Sequence, residues 1–249
     1  MTNAPDAQNG WRARLAEARV LVVGVGALGC PAAWALAAAG VGTLVLVDPD
    51  TVALSNLHRQ WLYGHRTIGE PKAPTAAARL QRAFPALRIE AHAQALDAEN
   101  LPELFGRADF VIDATDGVAA KFLINDGAVR CGRPYAHAGI LGFLGQALTV
   151  LPGVSACYRC LFQEPPPPED VASCQTAGVV GPVAGVLGAV QAGEAIKFLT
   201  GQGELLRDWL VTYDALSGRW RRIRLARNPR CPVCADASVR RLDAEPAAG

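Results

Sequence analysis

Net charge is almost absent from this chain: 24 Lys and Arg stand against 23 Asp and Glu, leaving +1 at pH 7. That balance gives no global reason to expect a nucleic acid or a membrane surface as partner. Charged residues are sparse as well, at 19% against 51% apolar. A sizeable core can therefore be buried, and the composition is not that of a disordered chain. The opening MTNAPDAQNG lacks the basic-then-apolar order of a secretory signal, so the expected location is the cytoplasm. An even cysteine count is lacking too. Seven cysteines without a signal pattern argue against a disulfide framework. No internal repeat appears. A length of 249 residues suits one large α/β unit. The expected organisation is a single domain over 1–249, with its core at about 14–234 and a frayed tail after 234.

What the chain does have is a charge-free stretch from Val20 to Val47. Long uncharged runs can mark membrane spans. Here Gly24, Gly26, Gly29, Pro31, Gly40 and Gly42 break the run, and β-branched ends flank an alanine-rich middle. That pattern reads as strand, helix, strand, buried on both faces. The alternation continues. Strands are expected at Arg19–Val23, Thr43–Val47, Leu87–Ala93 and Phe110–Asp113, with helices at Gly29–Ala39, Lys72–Ala83 and Val118–Arg130. The implied fold class is doubly wound α/β, Rossmann-like, with a mostly parallel sheet.

The second half changes character. Gly145–Leu151 reads as a strand. QEPPPPED, Gln163 to Asp170, can join neither helix nor ladder and reads as an exposed connection. The run from Thr176 to Gly201 reads as an apolar helix buried nearly all round, and two strands around Ser217–Gly218 form a C-terminal antiparallel extension.

Gly24, Gly26 and Gly29 match G-x-G-x-x-G between a strand and a helix. Glycines there permit a tight turn and close backbone approach, and the helix N-terminus offers free N–H groups to an anion. Asp48 ends the next strand, where an acid can accept from ribose hydroxyls. A nicotinamide-dependent oxidoreductase would need that much. It gives no reason for the residues after Asp48: Ser55, Asn56, Arg59 and Gln60 at the C-terminal edge of the sheet, then Lys72 at the start of the next helix. A fixed arginine and a second cation suit a triphosphate. Asp116, in VIDATDG, lies where a magnesium ligand would sit. Asp113 is the alternative ligand, and both acids can equally be solvated turn residues.

Cys157/Cys160 and Cys231/Cys234 form two C-x-x-C pairs, a donor set for one tetrahedral zinc. Two separate redox or packing pairs are the alternative that the spacing and the reducing compartment argue against. A zinc-ribbon nucleic-acid module is a third, and the basic RWRRIRLARNPRC is read instead as a solvated strand face. Cys30 and Cys131 read as buried residues, and Cys174 comes after the proline run.

The ordered set GVGALGCPAAWALAAAGVGTLVLVDPDTVALSNLHRQ, GEPKA, DATDGVAAKFLIND, CYRCLF, AGVVGPVAGVLGAVQAGEAIKFLTG and CPVC resembles the ubiquitin-activating-enzyme-like adenylyltransferases of the ThiF/MoeB/HesA type, from about Arg14 to Cys234. The resemblance implies ATP-dependent adenylation of the C-terminal glycine of a small ubiquitin-like sulfur carrier (ThiS/MoaD type), with release of magnesium pyrophosphate. It implies nucleotide contacts from Gly24, Gly26, Ala27, Asp48, Ser55, Asn56, Leu57, His58, Arg59, Lys72, Asp116 and Gly117. Arg59 and Lys72 would neutralise charge, and Asp116 would hold Mg²⁺. It implies a structural Zn²⁺ on Cys157, Cys160, Cys231 and Cys234, and a homodimer. The family places a cysteine where Cys174 stands, either a nucleophile toward the acyl-adenylate or a small loop residue. The sequence departs from the family pattern in places. Thr115-Asp116-Gly117 with Lys121 stands where the family has Thr-Asp-Asn and an arginine, and only Arg12 and Arg14 precede the glycine strand. A catalytically weak binding member therefore stays open. No rhodanese-like domain comes after Cys234, so the expected sulfur donor is a separate protein of rhodanese or cysteine desulfurase type.

Overall fold

The computed structural model describes residues 5–167 and 178–235. One eight-stranded sheet runs through it in the order β3-β2-β1-β4-β5-β6-β7-β8. The strands are β1 Arg19–Val23, β2 Thr43–Val47, β3 Arg88–His92, β4 Phe110–Asp113, β5 Tyr135–Leu141, β6 Leu144–Val150, β7 Trp209–Asp214 and β8 Arg219–Arg224. The first five pair in parallel, and β5 through β8 pair antiparallel. The change of direction falls at β5, which has a parallel neighbour on one side and an antiparallel one on the other.

Helices cover both faces, as the apolar parallel strands require. Every residue of β2, TLVLV, is buried. Leu44 and Leu46 face a core shared with α2 (Gly29–Ala39), α3 (Lys72–Ala83) and the long α7 (Gly181–Thr200). Val45 and Val47 face the opposite core, shared with α4 (Leu101–Gly106), α5 (Val118–Cys131) and the four paired cysteines. The short α6 (Tyr158–Leu161) lies between Cys157 and Phe162.

Four helices and strands were not expected from the sequence: α1 (Pro5–Glu17), α4, α6 and β5. Helix α1 is mostly polar, and Arg14 Nη1 donates to Thr200 O at the end of α7, 3.1 Å away. YAHAGIL in β5 carries small residues, a histidine and a glycine, so strand propensity is low and only its two neighbours make it a strand. The apolar helix also differs from expectation. It begins at Gly181, because Val179 is extended and bridges to Gly142. Nor is it buried all round: Pro182, Val186 and Ala189 remain exposed along one side. By length and composition α7 could cross a membrane. Here its other side is packed against α2, β5 and β6, as a core helix. Thr176 and Cys174 lie outside the described residues, as does the tail beyond 235. Residues 163–167 are exposed and irregular, as the prolines require.

Candidate active site

The C-terminal ends of β1, β2 and β4 open into a cavity of about 970 Å³. Its inner wall is the glycine turn. Gly24 has φ +86°, and a Cβ there would stand 2.8 Å from Ala114 O; one on Gly29 would stand 1.9 Å from Gly24 O. Only glycine lets β1, α2 and the β4 loop meet this closely. No side chain caps α2; Cys30 N donates to Gly26 O and Pro31 has no N–H, so it is the positive end of the helix and the turn backbone that face the cavity lined by Gly26, Ala27 and Leu28.

Asp48 stands beside the turn. Its Oδ2 accepts from Val25 N at 2.6 Å and its Oδ1 from Asp50 N at 2.9 Å. Burial raises its pKa, against these backbone bonds and the Lys72 charge, which lower it. Lys72 is buried, and its Nζ lies 2.7 Å from Oδ2 of the exposed Asp50. Arg59 lines the cavity while its Nη1 donates to Ser55 O at 2.8 Å. The two cations therefore stand on the same cavity, each with a protein acceptor that an incoming phosphate can replace.

Gly24, Gly26, Ala27, Asp48, Arg59, Lys72, Asp116 and Gly117 all line this cavity. Ser55, Asn56, Leu57 and His58 do not. They form the short turn behind Arg59, where Asn56 Oδ1 accepts from Ala53 N at 3.1 Å and His58 Nε2 stands 3.2 Å from Arg59 Nη1. The neighbouring Gln60 is buried with its Oε1 unpartnered, at the cavity wall.

Burial separates the two acids that the sequence left equivalent. Asp116 is exposed on the loop before α5. Asp113 is fully buried at the end of β4. Its Oδ1 accepts from Thr115 Oγ1 at 2.7 Å, and its Oδ2 lies 2.7 Å from His137 Nδ1 and 3.5 Å from Lys121 Nζ. Burial raises the Asp113 pKa, but the Lys121 charge and the His137 and Thr115 hydrogen bonds outweigh it and hold the group down to about 2. Lys121 also donates to Thr115 O at 2.7 Å and Ala138 O at 2.9 Å. Asp113 thus has no free oxygen for an ion, and it braces the loop that presents Asp116. His137 carried no motif in the sequence; only the β4–β5 pairing brings it to Asp113.

The paired cysteines meet around α6, in the core that α5 also covers. The Sγ atoms of Cys157, Cys160, Cys231 and Cys234 lie within 4.8 Å of one another. The closer pairs are 3.9 Å (157–160), 3.6 Å (157–231) and 3.4 Å (160–234). Four thiolates about 2.3 Å from one zinc would sit about 3.8 Å apart. The donor set therefore fits a tetrahedral zinc without rearrangement of the backbone. Arg227 ties the second arm down, donating to Gly153 O and Cys234 O. Arg159 does the same for the first, with both Asp126 oxygens at 2.7 and 2.8 Å. Cys30 is buried under the glycine turn, where burial pushes its thiol up to about 12. Cys131 is partly buried at the end of α5.

The remaining wall of the cavity was missed in the sequence. Gly139, Gln146, Thr212 and Arg221 extend it across the antiparallel strands. Strand β8 is exposed along its length, as expected of a solvated face, yet Arg219 and Arg221 line the cavity. RWRRIR carries no period-two alternation, since Trp220 and Ile223 fall on opposite faces, so nothing in it marked Arg219 and Arg221.

Comparison with known proteins agrees with this architecture. The chain is 45% identical over 233 residues to a sulfur carrier protein adenylyltransferase of Thermus thermophilus, covering 92% of this chain and 86% of that one. It is 42% identical to the SAMP-activating enzyme E1 of Haloferax volcanii, covering 91% and 83%. The adenylyltransferase and sulfurtransferase MOCS3 of Mus musculus is 47% identical over 89% of this chain, which spans 48% of its length. Among solved structures, E. coli MccB with ATP superposes with a TM-score of 0.80 at 24% identity, over 91% of this chain and 69% of that one, a likeness of fold. The ThiF family model matches residues 3–233. Glycine turn, sheet order and paired cysteines thus stand within a match that spans nearly the whole sequence, and the chain belongs to the ThiF family.

Proposed function

We propose that this chain is an ATP-dependent adenylyltransferase that activates the C-terminal glycine of a small ubiquitin-like sulfur carrier of the ThiS/MoaD type. One observation carries the reading. A single cavity joins an anion-binding turn, Asp48 and two cations to a floor that runs out over the antiparallel strands. The Thermus thermophilus relative, named a sulfur carrier protein adenylyltransferase, supports it over most of the chain. A carrier carboxylate oxygen attacks the α-phosphorus of ATP. The new P–O bond forms as the bond from the α-phosphorus to its β-bridging oxygen breaks, and pyrophosphate leaves with that electron pair. Such a transfer needs positioning and charge compensation more than covalent help. The turn and the end of α2 hold phosphate oxygens, Asp48 the ribose, and Arg59 and Lys72 the triphosphate charge. Asp116 is the free carboxylate for Mg²⁺, which when bound supplies charge neutralisation to the departing pyrophosphate.

The cysteine cluster is assigned a structural Zn²⁺ that ties the C-terminal arm to the body. Cys174 is assigned the step after adenylation, in which its sulfur replaces AMP on the carrier. A separate sulfur donor and a homodimer complete the reading, in the cytoplasm. The exposed Trp61, which packs beside Gly185 of α7, and the exposed Val186 supply an apolar patch for the dimer.

Carrier-dependent exchange of pyrophosphate into ATP tests the main claim. Magnesium ATP at about a hundred times its Kd should also stabilise the fold by about 2.7 kcal/mol, with no shift from NAD or NADP. Stabilisation by NAD with no exchange would overturn the reading. Cys174→Ala should keep exchange and lose thiocarboxylate formation.

A further inference from the structure

A closed circuit of hydrogen bonds backs the glycine turn and runs through five residues. Val25 N donates to Asp48 Oδ2 at 2.6 Å, and Asp50 N donates to Asp48 Oδ1 at 2.9 Å. Lys72 reaches Asp50 twice, with its N on Asp50 O at 2.9 Å and its Nζ on Asp50 Oδ2 at 2.7 Å. Tyr63 closes the circuit. Its hydroxyl donates to Val25 O at 2.8 Å and stands 3.3 Å from Lys72 O. One proton is thus shared between two carbonyls, with the shorter arm on the glycine turn.

Tyr63 is buried and does not line the cavity. Its N donates to Gln60 O at 3.1 Å, within the turn that carries Arg59. One residue therefore meets the three segments that present Arg59, Lys72 and the glycine turn. Its ring belongs to the apolar core, and a phenylalanine would fill the same place. What the hydroxyl adds is the tie. Burial pushes its pKa up, so it keeps its proton and remains a donor. Val25 O also accepts from Cys30 Sγ at 3.4 Å, so this carbonyl keeps a partner when the hydroxyl is removed.

A triphosphate that takes Lys72 Nζ from Asp50 Oδ2 leaves the lysine main chain on two anchors, Asp50 O and the Tyr63 hydroxyl. Only the second leads straight to the glycine turn. We propose that Tyr63 is a positioning residue for nucleotidyl transfer: its hydroxyl holds Lys72 at a set distance from the glycine turn, so that the cation meets the β- and γ-phosphates while the turn and Asp48 hold the rest of the nucleotide. The inference rests on the adenylation reading and adds to it a residue outside the cavity that sets the cavity's geometry. Small misplacements of a charge are costly in such a transfer, because positioning supplies much of the rate.

The test uses the whole protein with Tyr63→Phe, Lys72→Gln and the two together. Pyrophosphate exchange is measured with a purified MoaD-type carrier, and ATP and AMP affinities by calorimetry. Tyr63→Phe should lower kcat/KM for ATP about five- to tenfold, the worth of one buried hydrogen bond. AMP has no β- or γ-phosphate, so its Kd should stay within about twofold, as should the carrier KM. The double variant should match Lys72→Gln within about twofold, because the hydroxyl acts through that lysine. Losses that multiply in the double variant would overturn the tie, as would ATP use within about twofold of wild type in Tyr63→Phe. An AMP Kd that rises as far as ATP use falls, or a variant that binds neither nucleotide, would also overturn it and assign the hydroxyl to the fold alone. Exchange that ignores the carrier in wild type, or is missing, would overturn the adenylation reading instead. The ratio of ATP to AMP affinity, expected to fall about five- to tenfold in Tyr63→Phe, would then still decide the tie.

Discussion

In the parallel half of the sheet the cavity is a glycine turn with charged side chains set just past the strand tips; in the antiparallel half it is a row of residues on the strands themselves. The first half needs apolar strands buried on both faces, so its polar work falls to a glycine turn, a helix end and a few residues just past the strand tips. The second half has strands with one polar row, and register carries those residues outward from Gly139 to Arg221. One half suits a ligand whose shape never varies, such as a nucleotide. The other suits a partner chain that must be told from others. Asp113, Lys121 and His137 lie at the seam, on β4, α5 and β5.

The largest effect is expected at that seam. Asp113→Asn leaves Lys121 buried without its counter-charge, a loss of about 3–5 kcal/mol. The folded pKa of Asp113 is lowered to about 2. Stability from its ionised form is therefore complete above the ordinary carboxylate range near pH 4 and lost as pH falls toward 2, on the order of 2–3 kcal/mol. Denaturant titrations at pH 7, 4 and 2.5 should show that acid loss in wild type and a flatter profile in Asp113→Asn. Equal slopes would separate the two halves that the seam is said to join. Next comes Asp116→Ala, which should lower exchange by about a hundredfold or more with little change in melting temperature, because the residue is exposed. Carrier capture by the variant should persist if the halves act separately. The smallest effect belongs to Arg221→Gln on the edge strand. It should raise the carrier KM by about two- to threefold at low salt, fading near 0.5 M as screening shortens its reach. A loss that ignores salt would assign Arg221 to packing.

Legibility in the sequence tracked the same divide. TLVLV and the glycine turn announced themselves, because buried parallel strands and tight turns restrict residue choice locally. Paired cysteines did too, since each arm carries its own spacing. YAHAGIL did not: a strand that joins two pairing modes is specified by its neighbours and not by its own residues. Asp113 and Asp116 are three apart and chemically alike, and only burial tells the brace from the proposed ligand. Ser55, Asn56, Leu57 and His58 were expected with Arg59 from the resemblance; they do not line the cavity, and Asn56 and His58 meet Ala53 and Arg59 in the turn behind it. His137 was invisible for a different reason. Its partner lies 24 residues away, joined by strand pairing.

The cysteine cluster has a consequence in time. Its arms are 74 residues apart in the chain, and β7 and β8 lie between them. At about 5–20 residues per second, a ribosome exposes Cys157 and Cys160 roughly 4–15 s before Cys231 and Cys234 exist. During that interval the nascent chain presents a lone dithiol. Closing the ring against chain entropy costs about 4 kcal/mol, which bonds to a captured ion must exceed. The four-cysteine site for the proposed zinc is thus complete only after β7 and β8 have emerged, so filling it would report that the C-terminal arm has docked.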